Sequence, residues 1–116
     1  MFNYAVILIA VAAVFGVYMA VQYFKRRTLP KPGIAILHGL LAVSGVVVLL
    51  LGVMEIGFGT AHTWALVLFG AAALGGLYLV SHHMRQRPLP NGVIVIHGLV
   101  AVIAILVLLT AVYLVP

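Results

Sequence analysis

Long apolar runs separated by short polar segments make up nearly the whole chain. The runs are Phe2–Phe24, Ile34–Met54, His62–Ser81 and Val93–Val115, and none contains Asp, Glu, Lys or Arg. Crossing the hydrocarbon core of a bilayer takes ~20 residues of apolar helix, so each run is long enough to span. Between the first and second runs lies "RTLPKPG", and between the third and fourth "RPLPNG". Their prolines and glycines stop one helix and start the next. The pattern predicts an all-α membrane protein, residues 1–116 forming one transmembrane domain. Its four helices form an up-down-up-down bundle joined by short loops.

The chain also repeats itself. Shifted by 60 residues, Gly16 falls on Gly76, Tyr18 on Tyr78, Arg27 on Arg87, Leu29 on Leu89 and Pro30 on Pro90. Dropping one residue of the first turn then aligns Gly33 with Gly92, His38 with His97, Gly39 with Gly98 and Ala42 with Ala101. Val48, Leu49 and Leu50 follow on Val107, Leu108 and Leu109. The unit is a helical hairpin, about 1–56 in the first copy and 57–116 in the second. Two membrane crossings per unit give both copies one orientation, related by a pseudo-twofold axis along the membrane normal.

Composition agrees. Of 116 residues 66% are hydrophobic and only 6% charged, too few charges to clothe a water-soluble domain of this size. The basic residues Lys25, Arg26, Arg27, Lys31, Arg85 and Arg87 all fall in two turns, and the one acid, Glu55, in the loop between the second and third runs. Basic residues in short loops mark the cytoplasmic side. The expected location is therefore an integral membrane protein, of bacterial inner-membrane type, with both termini outside. The net charge of +5 is a topology signal and a grip on anionic lipid. Squeezed between spans, it does not point to nucleic acid. No cysteine is present, which excludes disulfides, thiolate metal sites and cysteine relays. The first run lacks a basic leader and is too long for a signal-peptide core, so it is expected to stay as an anchor.

Against this background His38 and His97 stand out. An ionisable residue inside a membrane span tends to face the bundle interior and is a functional hypothesis by default. The second and fourth helices lie diagonally across a four-helix ring, which sets the two histidines on opposite walls. Each is five residues past its turn glycine, ~7.5 Å of helix rise, in the cytoplasmic leaflet rather than at the midplane. They could simply hold helices together, since duplication copies a structural histidine as readily as a ligand. The functional alternative is a shared ligand on the axis: a haem b with one axial imidazole from each, or a metal ion held by His38 and His97. Zinc wants about four ligands, and only histidines and water are on offer. Helices packed about 8–10 Å apart leave a diagonal of roughly 12–14 Å, so a haem requires some splaying.

Small residues neighbour the pair. Gly39, Ala42 and Gly45 follow His38, and Gly98, Ala101 and Ala104 follow His97. Missing side chains make room for a flat cofactor, though small residues also serve close helix contacts. Haem propionates would meet the basic turns, with Lys25, Arg27, Arg85 and Arg87 among the candidates to receive them. His82 and His83 occupy the places of Gln22 and Tyr23 in the other repeat. They could be rival axial ligands, hydrogen-bond partners, a proton relay or plain interfacial residues. His62 sits near Trp64 in an outer aromatic belt with Tyr4 and Tyr113. Tyr18 and Tyr78 either bond across helices, line the pocket or pack.

On these four spans and on His38 and His97 in facing helices, the chain resembles the small four-helix membrane b-type cytochromes, the cytochrome b561-like bundles. The resemblance implies haem b, single-electron transfer and quinone or redox-protein partners, an electron-transfer component rather than a stand-alone enzyme. Two-haem members need a second ligand pair near the other face, where only His62 is available. The small multidrug resistance transporters share the length and span count but rely on a first-span glutamate absent here, and mercury carriers rely on cysteine pairs. Two other readings stand beside the cytochrome. One is a non-redox membrane or transport subunit with structural, metal-binding or proton-responsive histidines, and the other is a haem carrier or sensor. A homodimer is a further expectation, with small-residue faces such as Gly70, Gly75 and Gly76 paired between copies.

Overall fold

A computed structural model describes residues 1–115. Four helices follow in order: α1 (Phe2–Arg26), α2 (Pro32–Ile56), α3 (Ala61–Met84) and α4 (Asn91–Tyr113). All four are long and apolar enough to cross a membrane. They run one to three residues past the apolar runs at most ends, because polar residues such as Lys25 and Arg26 complete the last turn. The fourth is the exception, ending at Tyr113 rather than Val115.

The ends follow local chemistry. Arg27 takes the left-handed conformation (φ 55°) and returns its N–H to the Tyr23 carbonyl at 2.8 Å, closing α1 without a glycine. Pro32 opens α2, where its missing N–H is no loss. At the other end Gly57 and Gly59 hold φ of 97° and 94°, a backbone that side chains rarely adopt. Both termini lie with this loop at one end of the bundle, here the terminal end, and the two basic turns at the other, the basic end.

Each helix packs most extensively on its hairpin partner, α1 on α2 and α3 on α4. Thinner contacts between α1 and α4 and between α2 and α3 join the hairpins, while α2 and α4 face each other across the diagonal. The bundle is 44 Å long. Its core fills only the terminal half: Ala5, Ile9, Leu49, Val53, Ala65, Phe69, Ala104 and Leu108 form one buried cluster. Gly45 belongs to this packing, since a Cβ there would lie 2.6 Å from Ile9 Cγ1. In the basic half no residue of 13–22, 32–44, 73–84 or 91–103 is buried. Along that length the hairpins are not sealed against each other.

They meet again at the basic end. The buried Tyr23 hydroxyl donates to the Leu89 carbonyl (3.1 Å) and accepts the Leu89 N–H (2.8 Å). From the other hairpin, His83 Nε2–H donates to the Pro30 carbonyl at 2.7 Å. Tyr23 matches His83 in the repeat, and each reaches the turn of the opposite hairpin. Unlike residues thus make one pseudosymmetric clasp. Because the turns fold back to meet residues 23 and 83, α2 and α4 start partway up their partners rather than at the partners' ends.

Candidate histidine site on the bundle axis

His38 and His97 come together where the packed half gives way to the open one. Their rings face across the axis with centroids 6.4 Å apart and planes at 78°. His38 Nδ1–H donates to the Ala12 carbonyl and His97 Nδ1–H to the Ala72 carbonyl, both at 2.7 Å. A carbonyl only accepts, so the proton of each neutral imidazole sits on Nδ1 and the lone pair on Nε2. Neither Nε2 is hydrogen-bonded among the described residues. No buried side-chain nitrogen or oxygen lacks a partner, so both Nε2 atoms open onto accessible space.

Glycine in the neighbouring helix makes each arrangement possible. A carbonyl in a helix points along the axis toward the side chain four residues on. For Ala12 and Ala72 those residues are Gly16 and Gly76. With no side chain there, the imidazole lies over the helix backbone and reaches the carbonyl. A Cβ at Gly16 would stand 3.0 Å from His38 Cε1, and one at Gly76 3.2 Å from His97 Cε1. Gly75 also faces His97, with a would-be Cβ 3.4 Å from the His97 Cβ. Gly75 and Gly76 thus both meet His97 within the chain. Gly70 faces open space.

Along the bundle the pair stands beside the middles of α1 and α3. Ala12 and Gly16 flank the middle of α1 (Phe2–Arg26), and Ala72 lies at the middle of α3 (Ala61–Met84). The folded-back turns account for this, since position along α2 and α4 understates depth in the bundle. Of the small residues beside the histidines, Gly39 and Gly98 face open space. Ala42 and Ala101 are half-buried, and Ala104 is in the core.

The remaining candidates lie apart. His82 packs at a tilt against Tyr78, centroids 4.9 Å apart with planes at 56°, and donates from Nδ1 to the Pro88 carbonyl at 3.2 Å. His83 is engaged in the clasp. His62 stacks on Phe2 at the terminal end, centroids 4.2 Å apart. Lys25, Arg85 and Arg87 are exposed at the basic end. Arg27 donates to Asn91 Oδ1 at 2.7 Å and lies over the rings of Tyr23 and Phe24. Among the described residues no third His, Asp or Glu joins His38 and His97 as a metal cluster. Comparison with family models, with curated proteins and with solved structures finds no match to this chain.

Proposed function

We propose that this chain is a membrane b-type cytochrome holding one haem between His38 and His97 and passing single electrons. One observation carries the reading: two repeat-matched imidazoles face each other across the axis, each anchored through Nδ1 and each with a free Nε2. The rings stand 6.4 Å apart, centroid to centroid, and their Nε2 lone pairs are the groups that would hold a haem iron. A macrocycle between them would require the hairpins to splay along the unsealed basic half. A haem would supply a one-electron couple there.

The chain's own residues do the rest. The Ala12 and Ala72 carbonyls fix the tautomer and ring orientation and raise the basicity of each Nε2. Gly16 and Gly76 seat the rings. The packed terminal half excludes water on one side, which leaves the basic end as the route for cofactor and electrons. Lys25, Arg27, Arg85 and Arg87 offer that end charge-assisted donors for carboxylates. Cationic turns of this kind fit a cytoplasmic placement in a bacterial inner membrane, with quinone or a redox protein as electron partner.

The same Nδ1 bonds favour a second reading, in which the histidines only tie α2 to α1 and α4 to α3. Visible spectra of the protein purified in mild detergent, oxidised and dithionite-reduced, separate the two. The expected result is sharp reduced bands of a six-coordinate haem b, lost in His38→Ala and in His97→Ala. A protein that stays colourless after haem reconstitution, and whose variants lose only thermal stability, would establish the structural reading instead.

A further inference from the structure

The two basic turns are not equivalent, and the first hairpin carries a groove with polar residues in its wall. A cavity of about 90 Å³ lies between the end of α1 and the first turn, lined by Tyr18, Gln22, Arg26, Thr28 and Lys31 with Ile34 at its edge. Side-chain hydrogen bonds at this end belong to Tyr23, Arg27, Ser81, His82, His83 and Gln86. None engages the five polar residues of the groove. On the second hairpin Gln22 becomes His82, Arg26 becomes Gln86, Thr28 becomes Pro88, and Lys31 is the residue the alignment drops. There His82 packs at a tilt against Tyr78 and its Nδ1 bonds the Pro88 carbonyl.

The groove's chemistry selects its occupant. Two cations converge with hydroxyl and amide donors, and the chain's single acid, Glu55, lies at the opposite end. That set wants an anion with several acceptor oxygens. Its walls belong to helices whose apolar surfaces continue toward the terminal end, with exposed Val17 and Val21 on α1 and exposed Ile36 and Leu37 on α2. The bound molecule must therefore combine an anionic head with an apolar body.

We propose that this groove is a specific site for the phosphate headgroup of an anionic phospholipid, held by Arg26 and Lys31 with Tyr18, Gln22 and Thr28 as neutral donors. Arg26 and Lys31 are exposed and bear no helix packing, so their replacement leaves the bundle folded, as thermal melts would verify.

The test uses the full chain reconstituted with equal phosphatidylglycerol and phosphatidylcholine, extracted in mild detergent, with retained lipid counted by native mass spectrometry. Wild type is expected to retain phosphatidylglycerol about tenfold over phosphatidylcholine, equivalent to about 1.4 kcal/mol. The double variant Arg26→Gln/Lys31→Gln loses that preference, while Arg85→Gln/Arg87→Gln, with the same loss of charge, keeps it. Equal loss in both double variants would mean a diffuse charge effect and overturn the site, as would a wild type without preference. A wild type that binds inorganic phosphate without preferring phosphatidylglycerol, and loses the phosphate in Arg26→Gln/Lys31→Gln, would make the ligand a free anion and overturn the lipid assignment.

Discussion

The two ends of this bundle hold together by different means. The terminal half is packed: Leu49 and Leu108, repeat-matched and at 0% and 1% exposure, interlock with Ala5, Ala65 and Ala104. The basic half has no buried residue beyond Tyr23 and is closed at its tip by hydrogen bonds from Tyr23 and His83 to the opposite turns. Between lipid-facing helices apolar burial gives little driving force, so close packing and polar bonds must do the joining. Each half uses one of these means. The histidine pair lies at the border, where a core to its terminal side fixes it and an unsealed seam to its basic side leaves its Nε2 atoms free.

The largest effect should come from breaking the packed half. Leu49→Ala or Leu108→Ala leaves a void in the buried cluster, a cost of about 2–4 kcal/mol. Ile94→Ala, at a half-buried position of the open half, should cost under about 1 kcal/mol. Thermal or denaturant unfolding of the detergent-solubilised variants measures both. Equal losses would show that the two halves are packed alike and remove the contrast.

At the border the same residue type should behave in opposite ways. Gly16→Val drives a side chain into the His38 ring, a strain of about 1–3 kcal/mol, and pushes Nδ1 away from the Ala12 carbonyl. Gly39→Ala meets nothing within 4 Å and should gain up to about 1 kcal/mol from helix propensity. Unfolding midpoints test the stabilities. The Nδ1 proton resonance of His38, shifted downfield by its carbonyl bond, should disappear in Gly16→Val and persist in Gly39→Ala.

These glycines also mark what could be read from the chain unaided. The four spans, the duplication and the facing of His38 with His97 follow from hydropathy, self-alignment and ring topology, and the structure has all of the helices. The seats of the histidines did not follow. Gly16 and Gly76 align in the repeat, yet in membrane helices a glycine is so often a contact residue that alignment alone does not say what it touches. Ala12 and Ala72 act through backbone carbonyls, and a backbone acceptor leaves no trace in residue identity. Gly39 and Gly98, next to the histidines in sequence, are directed elsewhere by the helix turn and face open space. The clasp was hidden for another reason. Tyr23 and His83 differ as residues, so self-alignment registers a broken repeat where the fold has an equivalent pair of bonds.

The clasp should respond more mildly than the core. Tyr23→Phe keeps the ring and removes the hydroxyl, leaving the Leu89 N–H and carbonyl without their partner, a loss of about 1–2 kcal/mol. His83→Phe removes a single bond from a less buried position and should cost less. Backbone amide exchange at Leu89 distinguishes the two, speeding up in Tyr23→Phe and staying near wild type in His83→Phe. Equal acceleration in both variants would mean that the tip opens as one unit rather than through two separable bonds.

The smallest effect belongs to the one side-chain pair that joins the turns. Arg27 Nη1 meets Asn91 Oδ1 at 2.7 Å, but both residues are exposed. Water replaces such a bond almost fully, and exposed pairs contribute about 0–1 kcal/mol even between full charges. Asn91→Ala should therefore shift stability by less than about 0.5 kcal/mol, while Arg27→Ala should cost more than Asn91→Ala because it also uncovers the rings of Tyr23 and Phe24. A double-mutant cycle isolates the pair itself. A coupling near zero fits a tip held by Tyr23 and His83. A coupling as large as the Tyr23→Phe loss would move the closure of the basic end from the backbone-directed clasp to the surface pair.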